Sequence, residues 1–268
     1  MTLAAPSPTA TIPLPGQYGR IITDTGGLAE ISDLVGGTGT VRWKELFHGM
    51  HLPTWPGRGW KCVEYVELLP GSSCGTHRHD GAEEIYYMLG AATMTIDGAT
   101  VEVTAGDLVT APIGTVHGIS VPATAPRSAP FLVAEVFPHG GPPAPYARIP
   151  VPASLRHVGP RCYRGYAGDD LRTARVDLSG YFTGPWRAFT LIELPPGDDD
   201  HITYHVPDDT SEVLFVAAGE ASITVGPVAV KGGFGRAVAP ALGDDVTITN
   251  ARDDTPLQVI SVELRSQR

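Results

Sequence analysis

An internal repeat constrains the fold of this 268-residue chain more than any other feature. The segment 59–71, GWKCVEYVELLPG, aligns with the segment 185–197, PWRAFTLIELPPG. Further along, the offset settles at 129 residues, which pairs Glu83 with Glu212 and Gly90 with Gly219. Self-similarity of this kind decides the architecture better than local propensity does. The sequence therefore predicts two domains of one fold in tandem.

The composition indicates the class of that fold. Glycine and proline are abundant, 32 and 25 residues, and helix-periodic segments are scarce, which favours short strands joined by turns. We therefore predict an all-β protein of two jelly-roll barrels, each a double-stranded β-helix. The predicted boundaries are an N-terminal arm at 1–39, a first barrel at 40–137, a Pro/Gly-rich linker at 138–160 and a second barrel at 161–268.

Two histidines and a glutamate in the first repeat predict a metal site. His77 and His79 are two residues apart, so in an extended segment their side chains project to the same side. The short turn after His79 can bring Glu83 back beside them. Two imidazoles and a carboxylate that converge inside a barrel are costly to bury without a partner, and a divalent cation would satisfy all three.

A second stretch, 106–117, reads as a strand, a Pro-x-Gly turn at Pro112 and a strand that carries His117. Together the two stretches resemble the paired motifs of the cupin superfamily, G-x5-HxH-x3-E-x6-G and G-x5-PxG-x2-H-x3-N, with Val121 in place of the last Asn. The resemblance implies a bicupin in which one divalent transition metal is held by His77, His79, Glu83 and His117. Its identity among Fe, Mn, Ni, Co and Zn stays open.

The second repeat departs from this pattern. His205 and Glu212 remain, but Pro207 stands two residues after His205, and Val246 occupies the position that matches His117. Two ligands seldom suffice to hold a metal. We therefore expect a metal-less second barrel with His205 and Glu212 as remnants of a site.

Strand alternation predicts which side chains surround the metal. Ile85 and Tyr87 share the face of Glu83 and are expected to line the cavity, with Glu84 on the opposite face. In the strand 60–68, charges are kept in both repeats on one face, which is taken as the outer one. The inward residues are then Cys62, Glu64 and Val66.

Two further residues are candidates for proton transfer. Glu64 is matched by the uncharged Thr190 in the metal-less repeat, so a carboxylate is kept only where the metal is. This pattern suits a general base. His51 lies in a loop with Trp55, which could form a lid at the barrel mouth and supply acid–base help.

Charge and cysteine content exclude several classes of protein. The net charge of −10 argues against a nucleic-acid partner, because no basic stripe exists to neutralise phosphates. No apolar run reaches the roughly 20 residues of a membrane span, and the N-terminus does not resemble a signal peptide. Three widely spaced cysteines suggest free thiols in a reducing compartment, so a cytoplasmic protein is expected. A homodimer is expected as well, because sheet edges invite covering.

Three functions fit a site of this kind. An octahedral metal with four protein ligands leaves two positions for substrate and for water or oxygen, so we favour an oxygen-dependent dioxygenase or oxidase acting on a small polar metabolite. The first alternative is a redox-silent isomerase, lyase, cyclase or hydrolase that uses the metal as a Lewis acid. The second alternative is a non-catalytic binding or storage bicupin. The fold alone does not choose among them.

Overall fold

The protein is described from a computed structural model that covers residues 20–53, 59–138, 155–159, 162–165, 173–197 and 201–266, with the backbone alone for 155–159 and 162–165. Single short turns of 3-10 helix occur at Leu34–Gly36 and Gly49–His51. The strands up to residue 165 are β1 Ile21–Thr23, β2 Ala29–Ser32, β3 Thr40–His48, β4 Trp60–Leu68, β5 Ser73–Arg78, β6 Glu83–Met88, β7 Ala92–Ile96, β8 Ala99–Val103, β9 Asp107–Ala111, β10 Val116–Ser120, β11 Ala129–Val136, β12 Leu155–Gly159 and β13 Cys162–Gly165.

The remaining strands belong to the second repeat. They are β14 Thr173–Asp177, β15 Trp186–Leu194, β16 His201–His205, β17 Thr210–Ala218, β18 Glu220–Val225, β19 Val228–Gly233, β20 Ala237–Ala239, β21 Asp245–Asn250 and β22 Leu257–Arg265. No helix in these ranges is long and apolar enough to cross a membrane.

Each repeat folds into two facing sheets. The first barrel combines an eight-stranded sheet, in the order β12-β13-β9-β6-β11-β4-β3-β2, with a four-stranded sheet, β5-β10-β7-β8. The second barrel combines the sheets β1-β20-β17-β22-β15-β14 and β16-β21-β18-β19. Strands such as β7 alternate buried and partly exposed residues along the sequence Ala-Thr-Met-Thr-Ile, as expected when one face of a strand packs in a core. The predicted tandem of all-β jelly rolls is confirmed.

The two barrels exchange strands at their outer edges. β1 pairs antiparallel with β20, so that Ile21 lies opposite Ala239 in the second barrel. In the opposite direction, β13 pairs with β9 and places Cys162 opposite Val109 in the first barrel. Within the predicted arm, residues 21–23 and 29–32 are therefore strands, and within the predicted linker residues 155–159 are a strand. The rest of both segments lies mostly outside the described residues.

Three apolar clusters hold the molecule together. One fills the first barrel around Met88 and Met94, and another fills the second around Val216 and Ile248. The third lies between the barrels and combines side chains of both, among them Tyr87 of β6. Burying a side chain of this size contributes about 1.5–3 kcal/mol, so the contact between the barrels is a true core.

Two tryptophans link the barrels by hydrogen bonds. Trp60 Nε1 of β4 donates to Ser211 Oγ of β17 at 2.8 Å. At the equivalent position of the second repeat, Trp186 Nε1 of β15 donates to Glu83 Oε2 of β6 at 3.2 Å. Buried indole N–H groups require a partner, and here each barrel supplies it to the other. The interface is thus built around a quasi-two-fold relation between the repeats.

Candidate metal centre

Three histidines converge inside the first barrel, as the sequence predicted. β5 and β10 are neighbours in the four-stranded sheet, with His77 directly opposite His117. The ring of His77 lies 4.7 Å from that of His79 and 4.4 Å from that of His117, between centroids. One nitrogen from each of the three rings lies within 4.8 Å of the others. The alternation within β5 and the register with β10 therefore place all three imidazoles together.

Backbone carbonyls orient two of these rings. His77 Nδ1 lies 2.8 Å from the carbonyl oxygen of Gly75, and His117 Nδ1 lies 3.1 Å from that of Thr115. A carbonyl accepts, so Nδ1 of each ring carries a proton, and in the neutral ring Nε2 has the lone pair that a metal would bind. The Nε2 atoms of His77 and His79 are only 2.9 Å apart. A hydrogen bond from the other ring nitrogen to a backbone carbonyl is typical of metal-binding histidines.

The carboxylate that joins the histidines is Glu84. Its Oε1 lies 2.7 Å from His79 Nε2 and its Oε2 lies 3.2 Å from His117 Nε2. The Tyr86 hydroxyl donates to Glu84 Oε2 and lies 2.9 Å from His117 Nε2. Glu84 is 1% exposed and His117 is 3% exposed. The site thus presents three imidazoles and one carboxylate in a cluster that is buried at Glu84 and His117 and partly exposed at His77 and His79.

The prediction that Glu83 joins this cluster is wrong. Its carboxylate points to the second barrel, where Oε1 accepts from the N–H and the hydroxyl of Thr183, both at 2.8 Å. Its Oε2 accepts from the N–H of Gly184 at 2.7 Å and from Trp186 Nε1. Neighbouring residues of a strand face opposite sides, so Glu83 and Glu84 cannot both face the histidines. The turn after His79 sets the phase of β6, and it directs Glu84 inward.

The same one-residue shift corrects the other assignments on β6. Ile85 and Tyr87 were predicted to line the cavity, but both pack in the apolar core between the barrels. Tyr86 lines the cavity instead. The strand register of the two repeats agrees with this shift, because Glu84 lies opposite Glu135 and Glu212 lies opposite Glu263. The alignment at β6 is therefore Glu84 with Glu212, not Glu83 with Glu212.

Electrostatics stabilise the charged form of the buried carboxylate. Burial alone raises the pKa of Glu84, but hydrogen bonds with His117 and His79 outweigh it and hold that pKa below its usual range. The bond to Glu84 raises the pKa of His79, whereas burial lowers the pKa of His77. Burial also raises the pKa of the Tyr86 hydroxyl, which Glu84 raises further. An anionic carboxylate beside imidazoles is the form that a cation requires.

The cluster opens into a cavity of about 230 Å³. Two of the predicted inward residues of β4, Glu64 and Val66, line it, and so does Glu135 of β11. Cys62, the third, is buried beneath, with its Sγ 3.4 Å from Glu64 Oε1. Sequence reasoning missed that residues of the N-terminal segment cover this cavity. The apolar part of the lining is Ile31, Leu34, Val35, Trp43, Val66, Met94, Ile119, Phe131 and Val133.

The carboxylates in the cavity differ in their partners. Glu135 forms an ion pair with Lys61, whose side chain is 39% exposed. Lys61 belongs to the face of β4 whose charges are predicted to point outward, and it contacts the cavity wall through this pair. Burial raises the pKa of Glu64, and the nearby Glu135 carboxylate adds to the effect. Burial likewise raises the pKa of the Cys62 thiol well above its usual range, so that this thiol is not a ready metal ligand.

The other predicted catalytic residue is not part of the cavity lining. His51 ends the turn Gly49–His51, and its ring lies 5.6 Å from that of His48. Trp55, expected with it in a lid, lies outside the described residues. The side chain of Cys162 is not described either, while Cys62 and Cys74 are free cysteines.

The equivalent position of the second barrel holds a carboxylate without histidines. Glu212 is buried, and it accepts hydrogen bonds from Tyr204 Oη at 2.8 Å and Ser261 Oγ at 2.5 Å. Burial raises its pKa to about 7. His205 is exposed and pairs with Asp245 at 2.9 Å. The two predicted remnants therefore do not share a site. The hydroxyl groups of Tyr204 and Ser261 satisfy Glu212 without a cation.

The donor set of the first barrel fits a transition metal. Imidazole nitrogen suits Zn, Cu, Fe and Ni, and carboxylate oxygen extends the range to Mn. Three imidazoles and one carboxylate leave two positions free in an octahedral geometry. The residues gathered around Glu84 thus fit one divalent transition metal, and the cavity lies where a further ligand would reach it.

Comparisons with known proteins agree with this geometry. A family model described as a cupin domain matches residues 64–131. The oxalate-binding protein of Thermotoga maritima is 35% identical over 92 residues, which cover 33% of this chain and 71% of that protein.

Solved structures of Bacillus subtilis oxalate decarboxylase share the fold. A tryptophan-to-tyrosine variant matches with a TM-score of 0.63 and 17% identity, covering 94% of this chain and 78% of that one. A second structure, from work on the Mn(II) centres of that enzyme, matches with a TM-score of 0.61 and 17% identity, covering 94% and 79%. The chain belongs to the cupin superfamily, as a bicupin.

Proposed function

We propose that this protein is a metal-dependent enzyme that acts on a small organic acid at the first barrel, with His77, His79, Glu84 and His117 as the protein ligands of one divalent transition metal. The observation that carries the proposal is the convergence of Glu84 Oε1 and Oε2 on the Nε2 atoms of two histidines, at 2.7 and 3.2 Å. The names of the relatives add support, since they bind or decarboxylate oxalate. Manganese is a candidate because it is named for the decarboxylase.

The bound metal would polarise an oxygen of the substrate or, if redox-active, bring the substrate and O2 together. The protein's own residues supply the surroundings. Tyr86 fixes Glu84 by donating to its Oε2, and the carbonyls of Gly75 and Thr115 fix the tautomers of His77 and His117. The site is thereby preorganised before the substrate arrives.

Glu64 is the proposed proton carrier. It lines the cavity, and burial raises its pKa, which makes its carboxylate a stronger base near neutral pH. The Cys62 thiol donates to Glu64 Oε1, and the Trp43 side chain also forms a hydrogen bond with this carboxylate. His51 lies outside the cavity lining, so the acid–base role predicted for it is not part of this proposal.

Oxygen-dependent chemistry is the first of two candidate reactions. The cavity wall includes Trp43, Met94 and Phe131. An apolar wall keeps bulk water away from the reacting groups and admits O2, which is itself apolar. The second candidate is a non-oxidative lyase reaction such as decarboxylation, which the name of the structural neighbours favours.

Elemental analysis of protein purified without added metal tests the metal site. We expect about one transition metal per chain, lost in His77→Ala and in His117→Ala. His205→Ala is the matched control, because His205 is an exposed histidine of the second barrel, and it should keep the metal. Full metal content in both first-barrel variants would contradict the proposal.

Turnover with and without O2 separates the two reactions. Activity that disappears under anaerobic conditions and returns with air identifies the oxygen-dependent reaction. Activity that persists without O2 identifies the lyase reaction. Ligand binding without turnover under either condition would leave a binding protein, as the name of the Thermotoga maritima relative suggests.

A further inference from the structure

The wall of the first-barrel cavity carries acidic and apolar groups. Beyond the metal ligands, its charged side chains among the described residues are Glu64 and Glu135. Glu135 is neutralised by Lys61. Glu64 forms hydrogen bonds with two uncharged groups, the Cys62 thiol and the Trp43 side chain, and forms no ion pair within the described part of the chain. A ligand that enters therefore meets a carboxylate that has no counter-ion.

This charge discriminates against a second acidic group on the ligand. Two like charges about 6 Å apart, at an effective dielectric constant of about 20, weaken binding on the order of 10²-fold. A dianion such as oxalate already places two negative charges beside the metal and Glu84. Its outer oxygens would also need hydrogen-bond donors, yet Glu64 and Glu135 are acceptors when ionised. The Trp43 side chain in the wall is already hydrogen-bonded to Glu64, so the wall offers mainly acceptors where a dicarboxylate needs donors.

The apolar side of the wall favours a different kind of ligand. Trp43, Val66 and Phe131 face the same space as the metal cluster, and Ile31 and Leu34 of the N-terminal segment close it from another side. Each buried methylene of a ligand strengthens binding about fourfold. A hydrocarbon tail on the ligand would therefore be bound, whereas a second charge would be rejected.

We propose that the cavity takes a monoanionic chelating acid with an apolar tail and a hydroxyl or amino group that donates to Glu64, and that it disfavours dicarboxylates. This inference rests on the proposed function, because the acidic head of the ligand binds the metal. It departs from what the names of the relatives would suggest for the substrate, oxalate.

A series of acids with the same head and different tails tests the inference. Glycolate, 2-hydroxyisocaproate and malate share the 2-hydroxy acid group that chelates a metal, and their tails are absent, apolar and anionic. Oxalate completes the series. Binding to the Co(II)-loaded full-length protein is followed at about pH 8 by the shift of the visible Co(II) absorption, with titration calorimetry as a second measurement; acids of this kind are fully ionised there.

Each affinity is divided by the affinity of the same acid for free Co(II), because the acids differ as chelators. On this scale we expect 2-hydroxyisocaproate to bind on the order of 10²-fold more tightly than glycolate, and malate and oxalate to bind no more tightly than glycolate. Tighter binding of malate or oxalate than of 2-hydroxyisocaproate would overturn the inference but leave the proposed metal site intact. Equal affinities for all four acids would overturn it as well. A chain that takes up no Co(II) would fail the proposed function itself, which the elemental analysis detects separately.

Variants assign the discrimination to particular residues. Glu64→Gln removes the charge at constant size, so the affinity for malate should rise at least tenfold relative to glycolate. Glu102→Gln is the matched control, because Glu102 is exposed on β8 and bonds to Thr93, and it should leave the ratio unchanged. Ile31→Thr should lessen the gain from the apolar tail. An unchanged malate-to-glycolate ratio in Glu64→Gln would contradict the role given to Glu64.

Discussion

Adjacent glutamates on β6 have opposite roles, which exchange of each for glutamine separates. Glu83 accepts four hydrogen bonds from the second barrel, from the N–H and hydroxyl of Thr183, the N–H of Gly184 and Trp186 Nε1. In Glu83→Gln, the amide nitrogen replaces one oxygen and faces two donors. Each hydrogen bond to a charged group is worth about 1.5–3 kcal/mol, so the free energy of unfolding should fall by about 3–6 kcal/mol.

The metal content should respond in the opposite way. Glu84→Gln removes the carboxylate that bridges His79 and His117, so we expect metal affinity to fall at least 10-fold, a loss seen even for residues that only support a ligand. Glu83→Gln should keep about one metal per chain while the protein is folded. The assays are urea unfolding of the metal-free protein and elemental analysis of the purified protein.

The matched control is Ser211→Ala, which breaks the mirror-image bond to Trp60. It removes a single neutral hydrogen bond and should cost only about 1 kcal/mol. If Glu83→Gln loses the metal while Glu84→Gln retains it, the assignment of Glu84 as the ligand is refuted. If Glu83→Gln is no less stable than Ser211→Ala, the role of Glu83 as an anchor between the barrels is wrong.

Three further predictions concern stability. The pKa of Glu212 is raised from 4.5 to about 7, so the folded protein holds this proton more tightly than the unfolded chain does. The bound proton contributes about 3 kcal/mol of stability below about pH 4.5, and this contribution is lost as the pH rises to about 7. In urea unfolding at a series of pH values, Glu212→Gln should abolish this part of the pH dependence. Gly184→Ala would place a Cβ 2.9 Å from Glu83 Oε2 and 3.0 Å from the carbonyl oxygen of Phe137, so it should destabilise the protein by about 1–3 kcal/mol. The control Gly180→Ala has open space around its Cβ and should leave the stability nearly unchanged. Addition of metal to about 100 times its Kd should stabilise the metal-free protein by about 2.7 kcal/mol, measured as a higher Tm that a chelator reverses; an unchanged Tm would contradict binding to the folded state.

The histidines of the site were predictable because they depend on local geometry. The spacing of His77 and His79 gives a common direction on any extended segment, and the cupin-like motif adds His117. The choice between Glu83 and Glu84 depends on the path of the turn after His79, which local periodicity does not determine. The strand register in the structure resolves it, since Glu84 lies opposite Glu135 as Glu212 lies opposite Glu263.

Pairings between distant parts of the chain were not predictable in this way. β1 pairs with β20 near the other end of the sequence, and its three residues carry too short a pattern to indicate a partner. The cover that Ile31 and Leu34 form over the cavity likewise depends on where the N-terminal segment folds back. The domain boundaries, the homodimer and the cytoplasmic location stay predictions.

The hydrogen bonds from the second barrel to Glu83 mean that substitutions in the two barrels should have different consequences. The loop that contains Thr183 and Gly184 donates hydrogen bonds to Glu83, which is the residue next to Glu84. The equivalent bond in the other direction, from Trp60 to Ser211, lies beside Glu212, which bonds to Tyr204. Changes to the loop of the second barrel should therefore weaken the anchoring of β6, the strand that carries Glu84, whereas loss of the bond between Trp60 and Ser211 should affect only stability. The second barrel, in which Glu212 bonds to Tyr204 and Ser261, thus also supports the strand of the first barrel that carries Glu84.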